Sequence, residues 1–226
     1  MADVGLWVVP IAVLGGALRV STPFLFVSLG ECITERSGRI NLGLEGILVM
    51  GAMCAYGTSY LTGSTWLGVL TAGAAGALLG TVHATICGLP RVNDIAVGIA
   101  LMLFGTGLAF YLGKPLIEPT ASILPAIDFG WWSDVSQVRA ALQINALFLI
   151  GVVLAPLLVW ALNTTRWGLI LRTAGESSDA ARAMGYSVNA IRMRATMLGG
   201  FFGGIGGSFL SIIRGAGTRD SRAGRG

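Results

Sequence analysis

Charge is what this chain has least of. Only 12% of its 226 residues are Asp, Glu, Lys or Arg, about half the share of an ordinary soluble domain. With 54% apolar residues and a mean hydropathy of +0.76, the chain is not a water-soluble globule. Histidine occurs once, at His83, and the three cysteines, Cys32, Cys54 and Cys87, lie in or beside apolar runs without metal-ligand spacing. An odd count with no pairing pattern argues against a disulfide framework, so the thiols read as small buried hydrophobes. No Ser/His/Asp set is readable, and His83 is expected to bond a neighbouring helix rather than to catalyse. No GxxxxGK[ST] loop is present to cradle a nucleotide. The pI near 9.3 invites a nucleic-acid reading. Basic residues are not interleaved with aromatics, however, and about a third of them fall in one loop, so no nucleic-acid partner is expected. The opening MADVGLWVVP has an acidic residue and no basic region; it is not a cleavable signal, and the first apolar run is expected to be retained.

What the chain does have is apolar runs of about 20 residues, long enough for a helix to cross roughly 30 Å of hydrocarbon. They predict span A over 4–33, B over 41–61, C over 65–89, D over 92–113, E over 143–163 and F over 195–213, with 114–142 as a loop. The fold class is therefore all-α, a polytopic membrane helix bundle of about six spans, with one transmembrane domain over 1–213 and a polar tail over 214–226. The 34 glycines suit helices whose backbones approach closely in lipid. Pro23 and Pro156 fall inside spans, where neighbouring helices satisfy the groups they free, and Pro90 marks the C–D turn.

Between spans E and F lies a polar island, 166–194, RWGLILRTAGESSDAARAMGYSVNAIRMR. It holds Arg166, Arg172, Arg182, Arg192 and Arg194 against Glu176 and Asp179. Short loops rich in Arg stay on the cytoplasmic side, and alternation from there places the N-terminus outside. Loop 114–142, with Glu118, Asp128 and Asp134 beside Lys114 and Arg139, falls outside too, and its Trp131–Trp132 pair suits an interfacial belt. The turns carrying Arg36, Arg39 and Arg91 fall inside. Only the tail, with Arg214, Arg219, Arg222 and Arg225, breaks the pattern. Within the island, Ser178 is placed to N-cap a short helix and Asp179 to complement its positive end. Ala180, Ala181 and Met184 form a small apolar face, and Gly185 suits the position past the helix end. A solvated amphipathic connector is the alternative reading.

Two further features stand out. Arg19 lies near the middle of span A, where a charge costs roughly 2.5–3.5 kcal/mol; it faces a protein interior or cavity, or the span ends there and a short bent segment starts at Ser21–Pro23, or it snorkels to an interface. ECITERSGRINLGLEG, residues 31–46, gathers Glu31, Glu35, Arg36, Arg39 and Glu45 between spans A and B. Either these line a polar path, or Glu45 pairs with Arg36 or Arg39 and fixes the turn. Asn41 and Glu45, four apart, share one face of a helix.

TPFLFVSLGECITERSGRINLGLEGILVMGA (22–52), TGSTWLGVL (62–70), RVNDIAVGIALMLFG (91–105) and TRWGLILRTAGESSDAARAMGYSVNAIRMRA (165–195) occur in one order. Together they resemble bacterial ABC-importer permeases of the nucleoside and simple-sugar branch, within the branched-chain amino acid and ribose permease superfamily. The resemblance implies a transport subunit rather than an enzyme, with no cofactor on this chain and ATP and Mg held by a separate cytoplasmic ABC ATPase. It also implies a second permease subunit, an extracytoplasmic substrate-binding protein or lipoprotein, and a location in the bacterial cell membrane. The island becomes the ATPase-coupling segment, carried by Arg172, Glu176, Asp179, Ala180, Ala181, Arg182, Met184 and Gly185. Candidates along the substrate path are Phe24, Asn41, Glu45, Asn93 and Phe104; Asn93 has the alternative role of shaping its turn. Members of the family continue past the position of Ser211 with further spans, so a frameshifted or prematurely ended frame is the expectation for 214–226. A non-transporting fragment and a secondary transporter are the competing functions.

Overall fold

A computed structural model of the chain describes residues 8–116, 126–128 and 143–212. The helices are α1 (Val8–Arg36), α2 (Leu44–Thr62), α3 (Thr65–Cys87), α4 (Asp94–Gly113), α5 (Ala146–Thr164), α6 (Arg166–Glu176), α7 (Ser178–Ala183) and α8 (Val188–Ile212). A 3-10 turn, Lys114–Leu116, follows α4. The loop expected over 114–142 also contributes β1 (Ala126–Asp128), which pairs antiparallel with β2 (Gln143–Asn145). The bundle is all-α as expected, and the short ribbon at its margin only moves the start of span E to Ala146; strands of three residues carry no period long enough to read. Trp131–Trp132, the tail and Asp3 lie outside the described residues.

Local chemistry sets the helix ends. Asn93 accepts from the Ile95 amide at 2.8 Å and Asn145 from the Leu147 amide at 2.9 Å, capping α4 and α5. α2 stops where Gly63 takes φ 69° and returns its amide to the Ser59 carbonyl. α1 and α5 run on through Pro23 and Pro156.

α8 is the central helix and packs on α1, α2 and α3. It can do so because its inner face is glycine: a Cβ on Gly76 of α3 would collide with the Gly200 carbonyl and lie 2.9 Å from Gly204 Cα. Such backbone contact replaces the hydrophobic drive that is missing between helices in lipid. Around this seam Phe26, Ala55, Val69, Ala72, Leu147 and Phe209 form the main core. α4 leans mainly on α2, and α5 on α1 and α6. Among the described residues, four helices are long and apolar enough to cross a membrane, namely α1, α3, α4 and α5. α2 and α8 do not reach that standard, so of the six spans expected, four qualify by length and composition among the described residues.

Arg19 is half-buried and lines a small cavity with Thr22, Asn145, Phe148 and Phe209. It therefore faces protein rather than open lipid.

Candidate functional site

The polar island folds as α6 and α7 and runs into the first turns of α8. α6 is amphipathic, with Gly168, Leu171 and Ala174 buried on one side. Leu171 joins Ile33, Leu162 and Ala195 in a small core that holds α6 against α1, α5 and α8. The N-cap of α7 is Ser177, whose side chain accepts from the Ala180 amide at 3.3 Å. Ser178, expected in that role, is instead the first helical residue. At the other end Gly185 takes φ 85° and donates its amide to the Arg182 carbonyl at 2.9 Å, while Tyr186 donates to the Ala181 carbonyl. This is the left-handed closure expected of Gly185.

The apolar face expected of α7 divides in two. Ala181 is fully buried and packs with Ala174 and Val188 beneath the helix; six residues on α7 leave room for one inward anchor, and Ala181 is it. Ala180, Ala183 and Met184 are exposed. Arg182 and Asp179 bond each other at 3.0 Å on the surface, and Glu176 is exposed beside them. Arg172 lies partly inside, with its Nε buried and without a hydrogen-bond partner.

Beneath α6 and α7 is a junction that sequence reading did not reach. Arg192, on the first turns of α8, donates from Nε to the Ser37 carbonyl at 3.0 Å and from Nη2 to the Ala174 carbonyl at 3.2 Å. Gly38, at φ 82°, lets the chain leave α1 close to α6: a Cβ there would sit 3.0 Å from both Arg192 Nη2 and Gly175 Cα. The Arg192 guanidinium stands before the apolar stretch of α8. Burial lowers its pKa from the ordinary arginine value, with Arg39 nearby lowering it further and Asp94 opposing.

The turn between α1 and α2 is held by a different pair from the one expected. Arg39 is 7% exposed and bonds Asp94 of α4 at 2.6 Å. Glu45 faces out on the first turn of α2, away from this role. The reason is topological: the start of α4 comes alongside the turn, so Asp94 reaches Arg39 across 55 residues of sequence. Glu31 Oε1 accepts from the Asn41 amide at 3.1 Å, and Asn41 Oδ1 accepts from the Gly43 amide at 3.0 Å. His83 is fully buried, and its Nε2 lies 3.5 Å from Cys87 Sγ on its own helix.

The substrate-path candidates are not brought together. Asn41 is 1% exposed and shapes the entrance to α2, and Asn93 caps α4, the turn-shaping alternative. Phe24 faces out from α1. Phe104 lines an apolar groove of about 340 Å³ with Val82, Ile86 and Val97 between α3 and α4. Among the described residues no group of three His, Cys, Asp or Glu side chains could hold a metal ion.

Residues 13–223 match the family model described as branched-chain amino acid transport system / permease component. A nucleoside ABC transporter permease of Lactococcus lactis is 31% identical over 95% of this chain and 72% of its own length. A Haloferax volcanii protein assigned as a glucose ABC transporter permease is 30% identical over 88% of this chain, and a guanosine ABC transporter permease of Bacillus subtilis 28% identical over 84%. The chain spans 62% of the length of the Haloferax protein and 64% of that of the Bacillus protein. No solved structure matches.

Proposed function

Because the chain belongs to the family of branched-chain amino acid transport system permease components, we propose that it is the membrane subunit of an ATP-driven importer. Four apolar helices of spanning length make it an integral membrane protein. In this reading 166–194 faces the cytoplasm and α7 is the element that a separate ABC ATPase grips. The observation that carries this is the exposed surface of Ala180, Ala183 and Met184 on a short helix fixed at both ends, by Ser177 and by Gly185. Small side chains on a rigid helix let a partner's groove close over the backbone. Arg182 and Arg172 then meet acidic groups of that partner, and Glu176 and Asp179 flank the contact.

The ATPase holds ATP and Mg, and this chain contributes no covalent chemistry. Its part is mechanical: closure of two ATPase sites moves the docked segment, and the bundle shifts between two packed arrangements. A second permease subunit and an extracytoplasmic binding protein complete the importer, in a prokaryotic cell membrane. The relatives named for nucleosides, guanosine and glucose support a nucleoside or simple sugar as cargo. Of the path candidates, Glu45, Phe24 and Phe104 expose side chains that such a cargo could touch.

Co-purification with a coexpressed ABC ATPase tests the reading. Wild type retains the ATPase through affinity purification, while Ala180→Arg and Met184→Arg lose it without altering thermal unfolding. An unaltered yield of ATPase with both variants contradicts the assignment of α7. Ala181→Arg is unsuitable, because Ala181 is part of the core.

A further inference from the structure

Chain connectivity alone would pass a pull on α7 backward through Thr165 into α5 and forward through Ser187 into α8. The packing offers a third route. Ala174 is within the last four residues of α6, so its carbonyl has no partner inside the helix. Ser37 lies just past the end of α1, and its carbonyl points into the same space. Arg192 donates to both at once. A guanidinium does this with one rigid fork, whereas a lysine ammonium presents a point charge that does not span the same geometry. A cation at two helix C-termini is also favoured by both dipoles. The near contact of Gly38 with Gly175 leaves no slack around that fork.

We propose that Arg192 is a positioning residue that yokes the docking segment to α1 and α8, so that movement imposed on α7 reaches the end of α1 directly rather than through α5. The inference rests on the permease reading and adds the route by which its docking segment acts. α1 and α8 then move as one unit with α6, and loss of the fork leaves a segment that still docks but drives the end of α1 less, through the Leu171–Ile33 packing alone. Arg194, two residues on, is exposed and lacks this role.

Cys32 reports on α1 from a half-buried position five residues before Ser37. The experiment uses the permease–ATPase complex in lipid nanodiscs. A membrane-permeant maleimide labels Cys32, and peptide mass spectrometry reads its rate with and without a non-hydrolysable ATP analogue. Wild type is expected to change rate by about threefold or more between the two conditions, a modest population shift. Arg192→Ala is expected to keep the ATPase bound and lose most of the change, Arg192→Lys to show a smaller reduction, and Arg194→Ala to match wild type. If Arg192→Ala retains the wild-type response, or wild type binds the ATPase without any response at Cys32, the yoke is overturned while the permease reading stands. If Arg192→Ala is not recovered folded, Arg192→Lys decides: a full response overturns the proposal and a reduced one supports it. A wild-type chain that never binds the ATPase overturns the permease reading and the yoke with it.

Discussion

α5 and α8 are 19 and 25 residues long and both lean on α1, yet they use their surfaces in opposite ways. α5 carries large side chains outward: Val153, Leu157, Val159 and Trp160 are each more than half exposed. α8 turns glycines inward and meets α1, α2 and α3 backbone to backbone. α5 has the composition of a membrane span and α8 falls short of it. The difference teaches that large apolar side chains turned outward suit lipid while small residues turned inward suit protein contact, and α3 carries both on its two sides. In a membrane the second property holds the fold together, because Leu against Leu gains little over Leu against an acyl chain.

The largest effect is expected at the glycine seam. Gly76→Leu drives a side chain into the α8 backbone, where neither helix can yield; overpacking typically costs about 1–3 kcal/mol, occasionally more, and backbone on both sides places this site at the upper extreme. Size-exclusion chromatography after detergent extraction should show loss of the monodisperse species. A Gly76→Leu protein that elutes and melts as wild type would break the comparison.

The Arg39–Asp94 pair ranks next. Asp94→Ala leaves a buried guanidinium without its partner, and removal of one member of such a pair costs about 3–5 kcal/mol. Replacing both, as Arg39→Met with Asp94→Leu, should restore most of that, since an apolar pair avoids the desolvation of either charge. Thermal unfolding in detergent separates the three proteins, and equal melting of the single and double variants would show that the pairing is not what holds the turn.

Helix existence was legible in the sequence, because long apolar runs bounded by Gly, Pro and Asn leave few alternatives. α3 was expected over 65–89 and forms over Thr65–Cys87, and α2 was expected over 41–61 and forms over Leu44–Thr62. Contacts between distant segments were not legible. Glu45 is near Arg39 in sequence, while Asp94 is near it in space. In the sequence Arg192 is one more positive charge of the island; its bonds to Ser37 and Ala174 depend on how α1, α6 and α8 meet. In α7 the small apolar residues were visible, but with only six residues the face they present could not be phased, so Ala181 was grouped with Ala180 although it points inward. Ser177 and Ser178 are chemically equivalent caps, and the end of α6 decides between them.

Smaller effects belong to the outer surface. Leu103→Ala on α4 and Val153→Ala on α5 remove side chains that are 66% and 65% exposed, and such sites lie within about 0.5 kcal/mol of wild type. A large loss of thermal stability at either would mean that the outer faces pack as tightly as the inner seam. The smallest effect is expected for Arg182→Ala, which breaks a solvent-exposed pair with Asp179 worth under about 0.5 kcal/mol; its melting curve should overlay that of wild type.

The central claim, that α7 is the surface an ATPase grips, is tested most directly by photo-crosslinking in native membranes. A photoreactive residue is placed in turn at position 183, exposed on α7, and at position 61, exposed at the far end of α2. The account predicts an ultraviolet-dependent adduct with the ABC ATPase from position 183 and none from position 61. An adduct from neither position, with the ATPase present and the permease folded, would contradict it.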